Sequence, residues 1–137
     1  MPTIPPNKII SLARECLGTP YGHQGRICGV LMDCAGPLIH VLKGLGLEYS
    51  DEKGYPGRPY RGMLETILAR QPHLTEIPLS ELSAGDVVLF RISTSPQHIG
   101  IYTGKNIVHA YAPAGKVTEQ SFSPWKSQLK HVYRFVQ

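Results

Sequence analysis

The sequence predicts an α+β fold in which N-terminal helices pack on one antiparallel β-sheet. Three observations carry that reading: helical apolar spacing in the first half, short β-type runs after Pro72, and turn residues between those runs that suit hairpins rather than crossovers. The 137 residues, 42% hydrophobic and 18% charged, suffice for one core. Residues 1–137 are therefore expected to form a single domain.

Taken in order, Ile9, Ile10, Leu12, Ala13, Cys16 and Leu17 follow helical spacing from Asn7, a suitable N-cap, and Gly18-Thr19-Pro20 supplies the stop. A Gly-rich loop over 21–29 leads to Asp33-Cys34-Ala35-Gly36-Pro37, after which Leu38, Ile39, Val41, Leu42 and Leu45 predict a second helix. Pro37 fits only in its first turn, because deeper in the helix its ring would clash with the preceding turn. Cys34 is thus expected at or next to the helix N-terminus. Gly54, Pro56, Gly57, Pro59 and Gly62 make 49–62 a loop, in which Tyr55, Arg58 and Tyr60 either anchor the chain or line a cleft. A helical piece follows over 63–70. The expected strands cover 85–92, 98–103, 106–111, 116–121 and 131–136, arranged as a meander.

Composition excludes several classes of function. The net charge of +4 is spread along the chain without a basic stripe interleaved with aromatics, so nucleic acid is not an expected partner. A modest positive balance still favours approach to an acidic polymer such as a bacterial wall. No apolar run approaches the roughly 18 residues of a membrane span, and membrane insertion is not expected. The first residues lack the features of a secretory signal, so action outside a cytoplasm is expected to need another delivery route. Three cysteines, Cys16, Cys28 and Cys34, form an odd set without a C-x-x-C pair, and no disulfide framework is expected.

Cys34 draws attention by its position, since a helix N-terminus favours a thiolate through its dipole and unpaired amides, which is expected to lower the thiol pKa. Cys16, on the apolar helix face, and Cys28, in the loop, read as structural. A thiol nucleophile needs an imidazole to take its proton and a third group to fix the ring. His98 and His109 offer both. If Gly104-Lys105 closes a two-residue hairpin, residue 103 pairs with 106, His98 faces Tyr111 and His109 faces Gly100. The two histidines are then diagonal neighbours on one face, roughly 7–8 Å apart along the backbone, while Ile99, Ile101, Val108 and Ala110 face the other way. A one-residue change in the turn would separate them. A metal set of Cys28, Cys34, His98 and His109 lacks recognisable ligand spacing, and neither metal nor cofactor is expected. His23, His40, His73 and His131 read as surface or packing residues, with His23 a candidate for substrate contact.

The ordered motifs Gly18-Thr19-Pro20-Tyr21, Asp33-Cys34-Ala35-Gly36, Ser83-Ala84-Gly85-Asp86-Val87-Val88-Leu89-Phe90, His98-Ile99-Gly100-Ile101-Tyr102 and Ile107-Val108-His109-Ala110 resemble those of the NlpC/P60 cysteine peptidases. Tyr21-Gly22-His23-Gln24 and Tyr133-Arg134-Phe135 look most like the compact branch of phage tails and gene-transfer particles. The resemblance implies a circularly permuted, papain-like fold and hydrolysis of peptidoglycan stem peptides, commonly at the γ-D-glutamyl–diaminopimelate bond. It makes Cys34 the nucleophile, His98 the base and His109 the orienting residue. Tyr21 would assist the oxyanion or substrate, and Asp33 would hold the stem peptide's free amine. Family members usually carry Ser after the cysteine, where this chain has Ala35. The implied partners are the stem peptide and tail-tip proteins. Two alternatives remain: a non-catalytic tail-assembly protein, and a cysteine amidase or acyltransferase acting on a non-wall substrate.

Overall fold

A computed structural model describes residues 4–51, 63–92 and 95–137. Tyr55, Arg58 and Tyr60, read as loop anchors or cleft residues, lie outside the described residues.

Helix α1 spans Pro6–Arg14 and begins one residue earlier than Asn7 because Pro6, with its fixed φ and missing N–H, suits the first helical position. Asn7 is thus inside the helix and not its cap. The chain then turns through Gly18, whose N–H donates to the Val117 carbonyl at 2.9 Å. A two-strand hairpin, β1 (Arg26–Ile27) and β2 (Leu31–Met32), stands where the sequence suggested only loop. Helix α2 covers Gly36–Gly44 with Pro37 in its first turn, and α3 covers Met63–Ala69.

The strands are β3 (Leu74–Ile77), β4 (Val87–Ile92), β5 (Ser95–Tyr102), β6 (Asn106–Tyr111), β7 (Lys116–Ser121) and β8 (Leu129–Phe135). They form an antiparallel sheet in the order β3-β8-β4-β5-β6-β7. Strands β4 to β7 are the expected meander. The chain then returns across the sheet so that β8 pairs with both β4 and β3, an element the sequence reading missed. Its polar alternation (Leu74-Thr75-Glu76-Ile77) is only four residues long, too short to stand out from loop.

Both sheet faces are covered. On one, Ile9, Ala13, Leu38, Leu42, Leu64 and Leu68 from the helices, with Cys16 just beyond α1, pack on Leu89, Ile99, Ile101, Val108, Ala110 and Phe135. On the other, Val88, Phe90, Ile107 and Val132 pack with Phe122, Trp125 and Leu129 around a 3-10 turn at Ser123–Gln128. Burial on both sides explains why Val87 to Phe90 is apolar without alternation. The buried Asp86 carboxylate accepts the Ser83 N–H at 2.8 Å and two Arg134 hydrogen bonds at 2.9 Å. The Ser83-Ala84-Gly85-Asp86 motif therefore closes the turn into β4 and ties that strand to β8.

Candidate active site

Cys34 lies one residue before Ala35, the N-cap of α2. That cap lacks a side-chain acceptor of its own, and Asp33 supplies one: its Oδ1 accepts the Ala35 N–H at 3.0 Å. The same carboxylate accepts from the Arg26 guanidinium at 2.7 Å and from the Gln24 N–H at 2.9 Å. Arg26 in turn reaches Asp51 at 2.9 Å. Asp33 is 4% exposed and paired with Arg26. As a receptor for a substrate amine it would have to give up that pair, whereas its observed bonds hold the loop and the helix end around Cys34.

Strands β5 and β6 pair at Ile101↔Val108 and Tyr102↔Ile107, the register the two-residue turn required. Gly104, at φ +106, occupies the first turn position that only glycine takes without strain. Among the described residues that ladder stops at Ile101, and the Ile99 N–H is directed at the Cys34 sulfur, together with the N–H of Cys34 itself. Helix α2 thus delivers the sulfur to the peptide that joins His98 to Ile99.

His98 projects to the other sheet face. Its Nε2 lies 2.6 Å from His109 Nδ1, and His109 Nε2 lies 2.8 Å from Gln120 Oε1 on β7. The carbonyl oxygen of Gln120 can only accept, so His109 carries its proton on Nε2 and presents Nδ1 as an acceptor. His98 therefore donates from Nε2, and its Nδ1, the ring nitrogen nearer its own backbone, keeps a free lone pair. Trp125 stacks on His98 with centroids 5.4 Å apart, and meets His109 edge-on at 5.3 Å. Gln120 and Trp125 escaped the sequence reading. Alternation along β7 would have put Gln120 on the face of Thr118, but only the register across the 3-10 turn Ala112–Ala114 sets His109 opposite Thr118.

The electrostatics differ from the expectation of a thiolate at rest. Burial pushes the Cys34 thiol up to about 12, helped by the Asp33 charge and opposed by the two N–H groups and Arg26. Desolvation outweighs the helix end because Cys34 is only 9% exposed. Burial and His109 push His98 down to about 3. Burial also lowers His109, against the Gln120 hydrogen bond. At rest, then, the Cys34 thiol and the His98 imidazole are both neutral. Tyr21 is half-buried, and its phenol is raised to about 12 by burial and by the Cys34 and Asp33 charges, which lie within electrostatic reach of it.

The other candidates scatter. His23 is exposed, His73 Nδ1 donates to the Val136 carbonyl at 3.1 Å, and His131 sits between Glu76 and Glu65 at 2.7 and 2.6 Å. Cys28 donates to the Glu15 carbonyl at 3.0 Å and is grouped with Cys16 and His40, so the four-residue metal set with Cys34, His98 and His109 does not form among the described residues. Surface cavities of about 180 and 310 Å³ are lined by neither Cys34, His98 nor His109.

Comparison with known proteins gives this arrangement a context. The NlpC/P60 family matches residues 18–134. The murein DD-endopeptidase MepS/murein LD-carboxypeptidase of Escherichia coli (strain K12) is 31% identical over 118 residues, covering 81% of this chain and 62% of that protein. The probable peptidoglycan endopeptidase LytE of Bacillus subtilis (strain 168) is 28% identical over 132 residues, covering 94% of this chain and 34% of that protein. The chain thus spans under two thirds of the length of these relatives. A crystal structure of an NlpC/P60 family protein from Bacillus cereus ATCC 10987 superposes with a TM-score of 0.74 at 19% identity, covering 99% of this chain and 42% of that one.

Proposed function

Because the chain belongs to the NlpC/P60 family, we propose that it is a cysteine peptidase hydrolysing peptidoglycan stem peptides, with Cys34 as nucleophile, His98 as base and His109 as the orienting residue. The observation that carries the reading is the polar chain from Gln120 through His109 to His98, which leaves an imidazole lone pair beside the peptide that Cys34 faces.

The neutral resting pair defines the first step. As the substrate amide arrives, the sulfur and the ring, which meet the β5 strand from its two faces, have to close on each other before the Cys34 proton passes to His98 Nδ1 and the sulfur attacks the carbonyl carbon. The oxyanion accepts the Cys34 N–H, and the Tyr21 hydroxyl assists. The imidazolium donates from Nε2 to His109, and then protonates the leaving amine from Nδ1. A water molecule, deprotonated by His98, cleaves the thioester and restores the thiol. Holding the pair neutral until substrate excludes solvent suits a site in which an isolated charge would be costly.

We assign the γ-D-glutamyl–diaminopimelate bond as the target and delivery by a tail-like particle as the route, both on the motif resemblance alone. A mass spectrum of products from a defined stem peptide decides the first, and also separates a wall peptidase from an amidase on another substrate. The test of the whole reading is Cys34→Ala. It is expected to abolish release of muropeptides from purified walls while circular dichroism is unchanged, and undiminished release overturns it. The burial of Cys34 favours one other reading, a non-catalytic assembly protein, for which the variant would leave particle assembly as the only affected property.

A further inference from the structure

Three side chains that the proposed chemistry does not use converge elsewhere. Cys16 lies just beyond α1 and is fully buried, Cys28 lies in the turn between β1 and β2, and His40 is on α2. One potential ligand atom from each lies within 4.8 Å of the other two. All three cysteines are free thiols. The donors come from separate segments, so their convergence is a product of the fold and not of local sequence.

We propose that Cys16, Cys28 and His40 form a zinc site with three protein ligands and an open fourth position. Two sulfurs and an imidazole are the donor set that Zn²⁺ prefers, and one that Mg²⁺ and Ca²⁺ disfavour. Tetrahedral Zn²⁺ at bond lengths of about 2.0–2.3 Å needs its ligands roughly 3.5–3.8 Å apart, so a spacing of at most 4.8 Å has to close by no more than about 1 Å. The Glu15 carboxylate accepts from His40 Nε2 at 2.9 Å. It lies outside the three-ligand set, where it orients the ring as a carboxylate commonly does behind a metal-bound histidine. Water completes the tetrahedron. Binding converts both thiols to thiolates and releases two protons, including the one Cys28 now donates to the Glu15 carbonyl. The metal would clamp the β1–β2 hairpin to both helices, immediately before Asp33 and Cys34 in the chain.

The experiment uses the reduced full chain carrying Cys34→Ala, so that the proposed nucleophile cannot contribute, and titrates it with Zn²⁺ against a chromophoric chelator. One equivalent is expected to bind and to raise the melting temperature. Co²⁺ is expected to give the intense thiolate-to-metal charge-transfer band of a sulfur-ligated tetrahedral site. Adding Cys28→Ser or His40→Ala, both at half-buried positions that tolerate polar or smaller groups, should weaken binding by about 10- to 100-fold or more with the far-ultraviolet spectrum retained. Three results overturn the proposal: Zn²⁺ affinity unchanged in both variants, binding that is present in wild type and lost with Cys34→Ala alone, or a Cys16–Cys28 disulfide, two mass units lighter, as the form the chain adopts in the presence of Zn²⁺. Because metal content and cobalt absorption are read without any substrate, failure here is distinct from failure of the peptidase reading.

Discussion

At His98 the chemistry turns on which ring nitrogen holds the proton, and that is decided two residues away in the hydrogen-bond chain. Gln120 Oε1 accepts from His109, which forces His109 to accept from His98 and frees Nδ1 of His98 for the thiol. Gln120→Leu removes the acceptor and leaves a buried N–H unpaired, at a cost of about 1–3 kcal/mol. Because the loss falls on the imidazolium formed during reaction, kcat is expected to fall about tenfold with KM little changed. The same variant should slow alkylation of Cys34 by iodoacetamide near neutral pH, since a thiol raised by burial depends on His98 to accept its proton. Equal kcat and equal labelling in variant and wild type would remove Gln120 from the site. The sequence could suggest Cys34 from a proline and a helix signal, and the pair of histidines from a two-residue turn. It could not reveal Gln120, because the register of β7 depends on a 3-10 turn with no strong sequence mark.

At the scale of elements, the position of Cys34 depends on the β1–β2 hairpin as much as on α2. A Cβ on Gly25 would stand 2.5 Å from the backbone carbonyl of Leu31 and 2.7 Å from the Met32 nitrogen, a contact with rigid backbone that cannot yield cheaply. Gly25 also accepts the Asp33 N–H at 3.4 Å, and its neighbours Gln24 and Arg26 hold the Asp33 carboxylate. Gly25→Ala is therefore expected to destabilise the fold by about 1–3 kcal/mol, the usual cost of overpacking, and to lower activity by moving Asp33 and the end of α2. Denaturant unfolding together with a turnover assay checks this, and a variant as stable and active as wild type would show that the hairpin is not a support. The hairpin was invisible as an element beforehand because two-residue strands carry no period. Its constraint becomes apparent only where the backbones touch.

For the molecule as a whole, burying the site ties stability to pH. Folding lowers His98 from 6.5 to about 3, so between those values the unfolded chain binds a proton that the folded chain refuses. That stability is full above pH 6.5 and is lost as the pH falls toward 3. Folding raises Cys34 from 9.0 to about 12, so its contribution is full below pH 9.0 and is lost as the pH rises through that range. Cys16, Tyr21 and Tyr133, all raised by burial, steepen the alkaline side. A plot of melting temperature against pH should show a plateau between about 6.5 and 9, and His98→Gln should make the acid side shallower. An acid side of the same steepness in that variant would mean that His98 is not held neutral by the fold.

What the sequence determined by itself is whatever local chemistry and a single turn can specify: two helices, the second with Pro in its first turn, the meander from β4 to β7, the β5–β6 register and the adjacency of His98 and His109. These follow from periodicity and turn geometry, which act over a few residues. The tertiary structure alone decided the return of β8 between β3 and β4, the neutrality of Cys34 and His98, the pairing of Asp33 with Arg26, and the meeting of Cys16, Cys28 and His40. Burial and long-range contact are properties of the assembled core, where desolvation overrides a helix dipole and distant segments become neighbours.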